Sequence, residues 1–164
     1  MFQFVKGKRT GFEITLQDIN QIEEKYQMKF PPILAEFYLQ CNGATMTNYL
    51  LQADMDEDDE YEDDEYEEFE VYEEFPFGVR DFVALRHGSL SFEHKVDQNR
   101  LDGYVDDDML PIAYDQGGDF YYWDKNSEKV YLYYDDDMED PIFICHTIQR
   151  FFEKLSYAAS QQSQ

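Results

Sequence analysis

Residues 109–134 run MLPIAYDQGGDFYYWDKNSEKVYLYY: three apolar segments separated by two polar turns. Met109–Tyr114 is the first segment. Its Pro111 has no N–H for a ladder and marks an edge or a bend. Gln116-Gly117-Gly118-Asp119 supplies a turn. Residues 120–123 and Val130–Tyr134 are rich in the aromatic and β-branched side chains that suit a half-buried sheet. With the polar residues 124–129 between them they form a hairpin. Strands joined this closely pair antiparallel, because a parallel pair needs a long crossover.

Working outward, residues 142–144 suit a last strand. Thr147 can cap a final helix that carries Ile148, Phe151, Phe152 and Leu155 on one face, and the polar tail 160–164 is expected to fray. Upstream, residues 82–85 are another short apolar run. A first helix is predicted over Leu16–Tyr26, with Thr15 as N-cap, Asp18 completing a capping box, and Leu16, Ile19, Ile22 and Tyr26 on the apolar face. Pro31 and Pro32 open a second helix. Its buried stripe is Ile33, Leu34, Phe37, Tyr38 and Cys41, and Asn42-Gly43 stops it. The segment around His87 and His94 carries no pattern that assigns it. Two helices, several strands and one helix, with helices segregated from strands, give an α+β fold with a mainly antiparallel sheet. One domain over residues 1–159 is expected, with an acidic insertion at 54–74.

The 164-residue chain suits one domain, and an aromatic content of 18% is that of a packed core. The formal charge of −24 repels nucleic acid and anionic membranes and attracts basic proteins. It also favours a monomer. Cys41 and Cys145 lie in apolar stretches outside any CxxC pair and read as buried thiols. Met1 to Gly11 lacks the apolar region of a signal peptide, so the cytoplasm is the expected location. No run is long enough for a membrane span.

The sharpest local feature is the run from Asp54 to Glu74. Fifteen of its twenty-one residues are Asp or Glu and none is basic, against 37 acidic residues in the whole chain. Such a run is usually a solvated loop, but Tyr61, Tyr66, Phe69, Val71 and Tyr72 have little use in one, and its later part can join a sheet edge. The candidate partner-binding residues are Asp56, Glu57, Asp58, Asp59, Glu60, Tyr61, Glu62, Asp63, Asp64, Glu65 and Tyr66. Two triplets, Asp106, Asp107, Asp108 and Asp135, Asp136, Asp137, flank strands and can extend the same acidic face, although ordinary loop polarity explains them as well. Asp54, Asp56, Asp58 and Glu65 fit four positions of a calcium loop. However, Asp59 stands where the sharp turn needs Gly, and flanking helices are missing, so no metal or cofactor is expected.

For catalysis the chain offers His87, His94, His146 and the two thiols. No hydrolase, zinc-protease or phosphate-loop motif is present, and Gly117-Gly118-Asp119 precedes a strand rather than a helix N-terminus. Core thiols and surface histidines are the simpler reading, and no catalytic residue is assigned.

The punctuation resembles that of the SUKH superfamily, which contains yeast cell-wall-assembly regulators, the bacterial Syd protein and many bacterial immunity proteins. The residues that carry the likeness are Ile19, Ile22, Glu23 and Tyr26; Phe30-Pro31; Phe37 with Asn42-Gly43; Leu110-Pro111-Ile112-Ala113; Gly117-Gly118-Asp119-Phe120; Val130-Tyr131; and Thr147-Ile148 with Phe151, Phe152 and Leu155. The resemblance implies a protein-binding domain rather than an enzyme. Bacterial members commonly neutralise a partner toxin, often one with a nuclease domain. Together with the charge, this gives the expectation of a cytoplasmic immunity protein that occludes a basic, nuclease-like toxin domain. The alternative is a regulatory or scaffold module of the same fold without a toxin partner.

Overall fold

The alternation over residues 109–134 is three consecutive strands in the structure: β4 (Met109–Tyr114), β5 (Phe120–Asp124) and β6 (Val130–Tyr134). They belong to a seven-stranded antiparallel meander in the order β1-β2-β3-β4-β5-β6-β7. The others are β1 (Gly7–Arg9), β2 (Ala44–Leu51), β3 (Phe77–Phe82) and β7 (Asp137–Cys145). The helices are α1 (Leu16–Tyr26), α2 (Pro32–Gln40), α3 (Phe92–Asp102) and α4 (Ile148–Gln162). This computed structural model describes residues 7–9, 12–54, 77–88, 90–134 and 137–162.

The class is the expected α+β, with differences in detail. Helix α3 fills the segment that sequence pattern left unassigned. Only Phe92, Val96 and Asn99 of its eleven residues are buried, too sparse and too polar a stripe to read. Helix α4 runs through Ser160 to Gln162, residues expected to fray. Leu16 is 60% exposed rather than on the buried face of α1, and Ile33 and Cys41 are only half-buried.

Register assigns the two faces of the sheet. Phe82, Ala113, Tyr121 and Leu132 lie side by side across β3 to β6. On this face Phe82 stacks on Phe152 of α4 at 5.5 Å, and Tyr121 meets Phe151 at 5.5 Å. Phe37 of α2 packs against Phe82 at 4.4 Å and Phe152 at 5.1 Å, which seals the centre. The opposite face carries Phe120 and Tyr122 beneath α3, where Lys95 Nζ sits 4.4 Å from the Phe120 ring and Asn99 donates to the Tyr122 hydroxyl at 2.9 Å. Pro111 lies beyond the residues of β4 paired with β3 and next to a register shift against β5, so it interrupts no ladder bond to β3.

Local chemistry fixes the helix ends. Thr15 N–H donates to Asp18 Oδ2 at 2.8 Å, and Asp18 N–H donates back to Thr15 Oγ1 at 3.3 Å, closing the capping box. Buried Glu23 accepts the Phe30 N–H at 3.0 Å and thereby shapes the link from α1 to α2. Asn42 does more than stop α2. Fully buried, it donates from Nδ2 to the carbonyls of Phe12 and Leu85 at 2.9 Å each, and its Oδ1 accepts the Leu85 N–H at 2.7 Å. Asn42→Ala leaves the Leu85 N–H and carbonyl without this partner, at a cost of about 2–4 kcal/mol. A urea midpoint well below wild type is expected, whereas Asn20→Ala on the exposed face of α1 should stay within about 0.5 kcal/mol.

Candidate interaction surface

The acidic run connects β2 to β3, two neighbours in the sheet. Its candidate residues Asp56 to Tyr66, and its proposed junction with a sheet edge, lie outside the described residues. Its first residue, Asp54, is described, and it is held firmly. The Asp54 N–H donates to the Ile144 carbonyl of β7 at 2.7 Å. Its carboxylate accepts from Arg150 Nε at 3.0 Å and Nη2 at 3.2 Å, and pairs with Lys154 Nζ at 2.7 Å. Lys154, its side chain only 9% exposed, also donates to the Gln52 carbonyl at 2.5 Å.

This contact joins opposite corners of the sheet. Asp54 follows the end of β2 that pairs with the start of β3, at Leu51 and Phe77. Ile144 lies at the far end of β7, next to Cys145 opposite Val130. A twisted sheet brings diagonal corners together when it coils, and α4 crosses the gap with Arg150 and Lys154 one turn apart. Between α4 and the end of β2 lies a groove of about 680 Å³. Leu50, Leu51, Tyr157 and Ala158 line its apolar part.

The two Asp triplets do not share one end of the strands. Asp108 leads into β4 at the end that holds the β5–β6 turn. It accepts from Lys125 Nζ at 3.2 Å and Asn126 Nδ2 at 2.7 Å, which makes it a structural tie. Asp106 and Asp107 are exposed beside it. Asp137 pairs with Tyr134 at the opposite end, and Asp135 and Asp136 lie outside the described residues.

The groups weighed for chemistry are scattered. His87 packs edge-on against Phe12 at 4.8 Å, His146 packs against Phe143 at 4.9 Å, and His94 is exposed on the first turn of α3. Neither cysteine is in a disulfide. Cys41 is half-buried rather than buried, and burial pushes the Cys145 thiol up to about 12, far from a reactive thiolate. Among the described residues no group of His, Cys, Asp and Glu is arranged to hold a metal. Asp54, first position of the calcium template, is already committed to two cations.

Sequence reasoning missed the groove and the clamp. The only trace is Arg150 and Lys154 at helical spacing in a chain with few cations. Every lysine and arginine whose side chain is described is held in an ion pair or over an aromatic ring.

Fold and surface together describe a domain built around a meander and presenting carboxylates, with no convergent catalytic group among the described residues. The profile of the SMI1 / KNR4 family (SUKH-1) matches residues 13–154, and the chain belongs to this family. The match spans α1 to α3, β2 to β7 and the first half of α4, leaving off β1 and the later turns of α4. A comparison with curated proteins finds no match. Family membership is consistent with an immunity-type or protein-interaction domain. Among the described residues no helix is long and apolar enough to cross a membrane.

Burial alone would raise the Asp54 carboxyl, but hydrogen bonds from Arg150 and Lys154 outweigh it and hold it below its ordinary 3.8. A lowered folded value means that the stabilisation is complete above the unfolded value and is lost as pH falls through the folded one. Asp54→Asn is expected to cost about 1–2 kcal/mol at neutral pH, discounted for partial exposure. The gap from wild type should close as pH drops below the ordinary carboxylate value of 3.8. Urea midpoints across pH check this. A gap that stays constant in acid would assign the clamp to packing rather than charge.

Proposed function

We propose that this chain is an immunity-type protein that binds a basic toxin domain, nuclease-like in its need for a cationic cleft, and neutralises it by acidic occlusion in the cytoplasm. The observation that carries the reading is the concentration of fifteen carboxylates in one insertion between β2 and β3. The family match supports a protein partner, and the satisfied cations of the fold leave the acidic charge available to it. A nuclease cleft holds a polyanion, so clustered carboxylates take the place of phosphates there. Long-range attraction also speeds encounter, toward about 10⁸–10⁹ M⁻¹s⁻¹ at low salt against about 10⁵–10⁶ without steering. Tyr61 and Tyr66 provide aromatic anchors among the charges. The chain acts as a monomer, since copies at −24 repel one another.

The test is a titration of the toxin domain encoded beside this chain's gene, with its nuclease rate as readout. One-to-one inhibition is expected, with an association rate that falls steeply as salt rises. Replacing the acidic residues between Asp56 and Glu65 by their amides should slow association by about tenfold or more while leaving the melting temperature near wild type. Salt-insensitive binding would sink the electrostatic mechanism. Absence of inhibition, with stable capture of a housekeeping protein instead, would turn the reading to a regulatory module.

A further inference from the structure

Among the described residues the two most exposed large apolar side chains are Leu101, at 86%, and Tyr104, at 73%. They flank the end of α3, and their spacing in the chain keeps their Cα atoms within about 11 Å of each other. The segment that carries them is pinned at several points. Gly103 closes the helix in the left-handed region, φ 73°, with its N–H on the Asn99 carbonyl at 2.9 Å. Asn99 is itself tied to the Tyr122 hydroxyl at 2.9 Å. Val105 is buried, and the Met109 N–H donates to the Asp106 carbonyl at 2.9 Å. Leu101 and Tyr104 are therefore presented on backbone that is already fixed, so a partner that covers them has little chain to order.

The charge around the pair has one sign. Asp102, Asp106 and Asp107 are exposed between and beside the two apolar residues. The carbonyls at the C-terminal end of α3 add partial negative charge. The cations beside the segment are engaged: Arg100 lies over the Tyr26 ring at 5.3 Å, and Lys125 is tied to Asp108 at 3.2 Å. We infer that the segment from Leu101 to Asp107 is a docking surface for a basic stretch of a protein, which sets an apolar side chain against Leu101 and Tyr104 while its flanking cations meet the three carboxylates. Charge complementarity selects this occupant. A second copy of the chain would set the same carboxylates against one another, and the phosphates of nucleic acid or of an anionic membrane would be repelled. A partner with cations alone would leave Leu101 and Tyr104 exposed, whereas one with an apolar residue among its cations covers them, and Tyr is enriched at binding hot spots. The inference shares a basic partner with the proposed function but none of its residues in the insertion, so either can fail alone.

The test uses the full chain, ¹⁵N-labelled, and two short lysine-rich peptides that differ only in one central residue, leucine or alanine. The leucine peptide is expected to bind about tenfold tighter and to shift the amides of Leu101, Gly103, Tyr104 and Asp107. Leu101→Ser and Tyr104→Ser, both at exposed positions, should each remove that advantage while leaving the thermal melt near wild type. Replacing Asp106 and Asp107 together by Asn should weaken the leucine peptide severalfold and make its affinity less sensitive to salt. Equal affinity for the two peptides, or shifts that leave residues 101–107 still, would overturn the inference and leave the reading of the insertion standing. Shifts at these amides that follow protein concentration without any peptide would overturn it in favour of contact between copies of the chain.

Discussion

The buried amide of Asn42 is the constraint on which the arrangement of the helical layer depends. An unpaired amide at full burial would cost several hydrogen bonds' worth of desolvation. All three of its described bonds go to backbone groups distant in sequence, two on Leu85 and one on Phe12. The residue that ends α2 thus fixes the segment before α1 and the segment between β3 and α3. Next to Leu85, Arg86 adopts a left-handed backbone, φ 68°, held by the Glu93 carboxylate on its N–H at 2.9 Å. Its guanidinium reaches Gln21 of α1 at 2.5 Å. Three helices are therefore placed through one short loop, and a local error there would propagate to each of them.

The second constraint is the corner closure at Asp54. A meander has two free edges, and a free edge is open to pairing with other chains. Here the backbone of Asp54 takes the Ile144 carbonyl, and acidic residues together with Pro141 blunt the rest of β7. The same residue begins the acidic insertion. One ion cluster thereby closes the sheet and sets where the acidic insertion leaves the fold.

How much of this was legible in the sequence depends on the range of the interaction. Helices α1, α2 and α4 and strands β4 to β6 were visible because period and capping act within a few residues. The capping box of Thr15 and Asp18 and the prolines at 31 and 32 read correctly for that reason. Helix α3 was hidden because Asn99, one of its few inward residues, is polar and earns its place only through the Tyr122 hydroxyl. The roles of Asn42 and Asp54 were hidden because their partners lie far along the chain; Asn42 was seen only as a helix stop. Leu16 misled because helical spacing does not say which turns of the apolar face are covered, and Leu16 in the first turn is exposed.

The placement of charge accounts for how so acidic a chain keeps a packed core. Self-repulsion at −24 opposes compaction, but fifteen of the acidic residues are gathered in the sequence between two adjacent strands, and the first of them, Asp54, is held by two cations of α4. Within the fold, cations are paired one by one: Lys25 with Asp97, Arg86 with Asp18 and Glu93, Lys125 with Asp108, Arg150 and Lys154 with Asp54. Each exposed pair is worth little alone, yet together they engage most of the described cations, while Lys95, Arg100 and Lys129 lie over aromatic rings. The Asn42 and Asp54 contacts hold the scaffold from which the insertion departs.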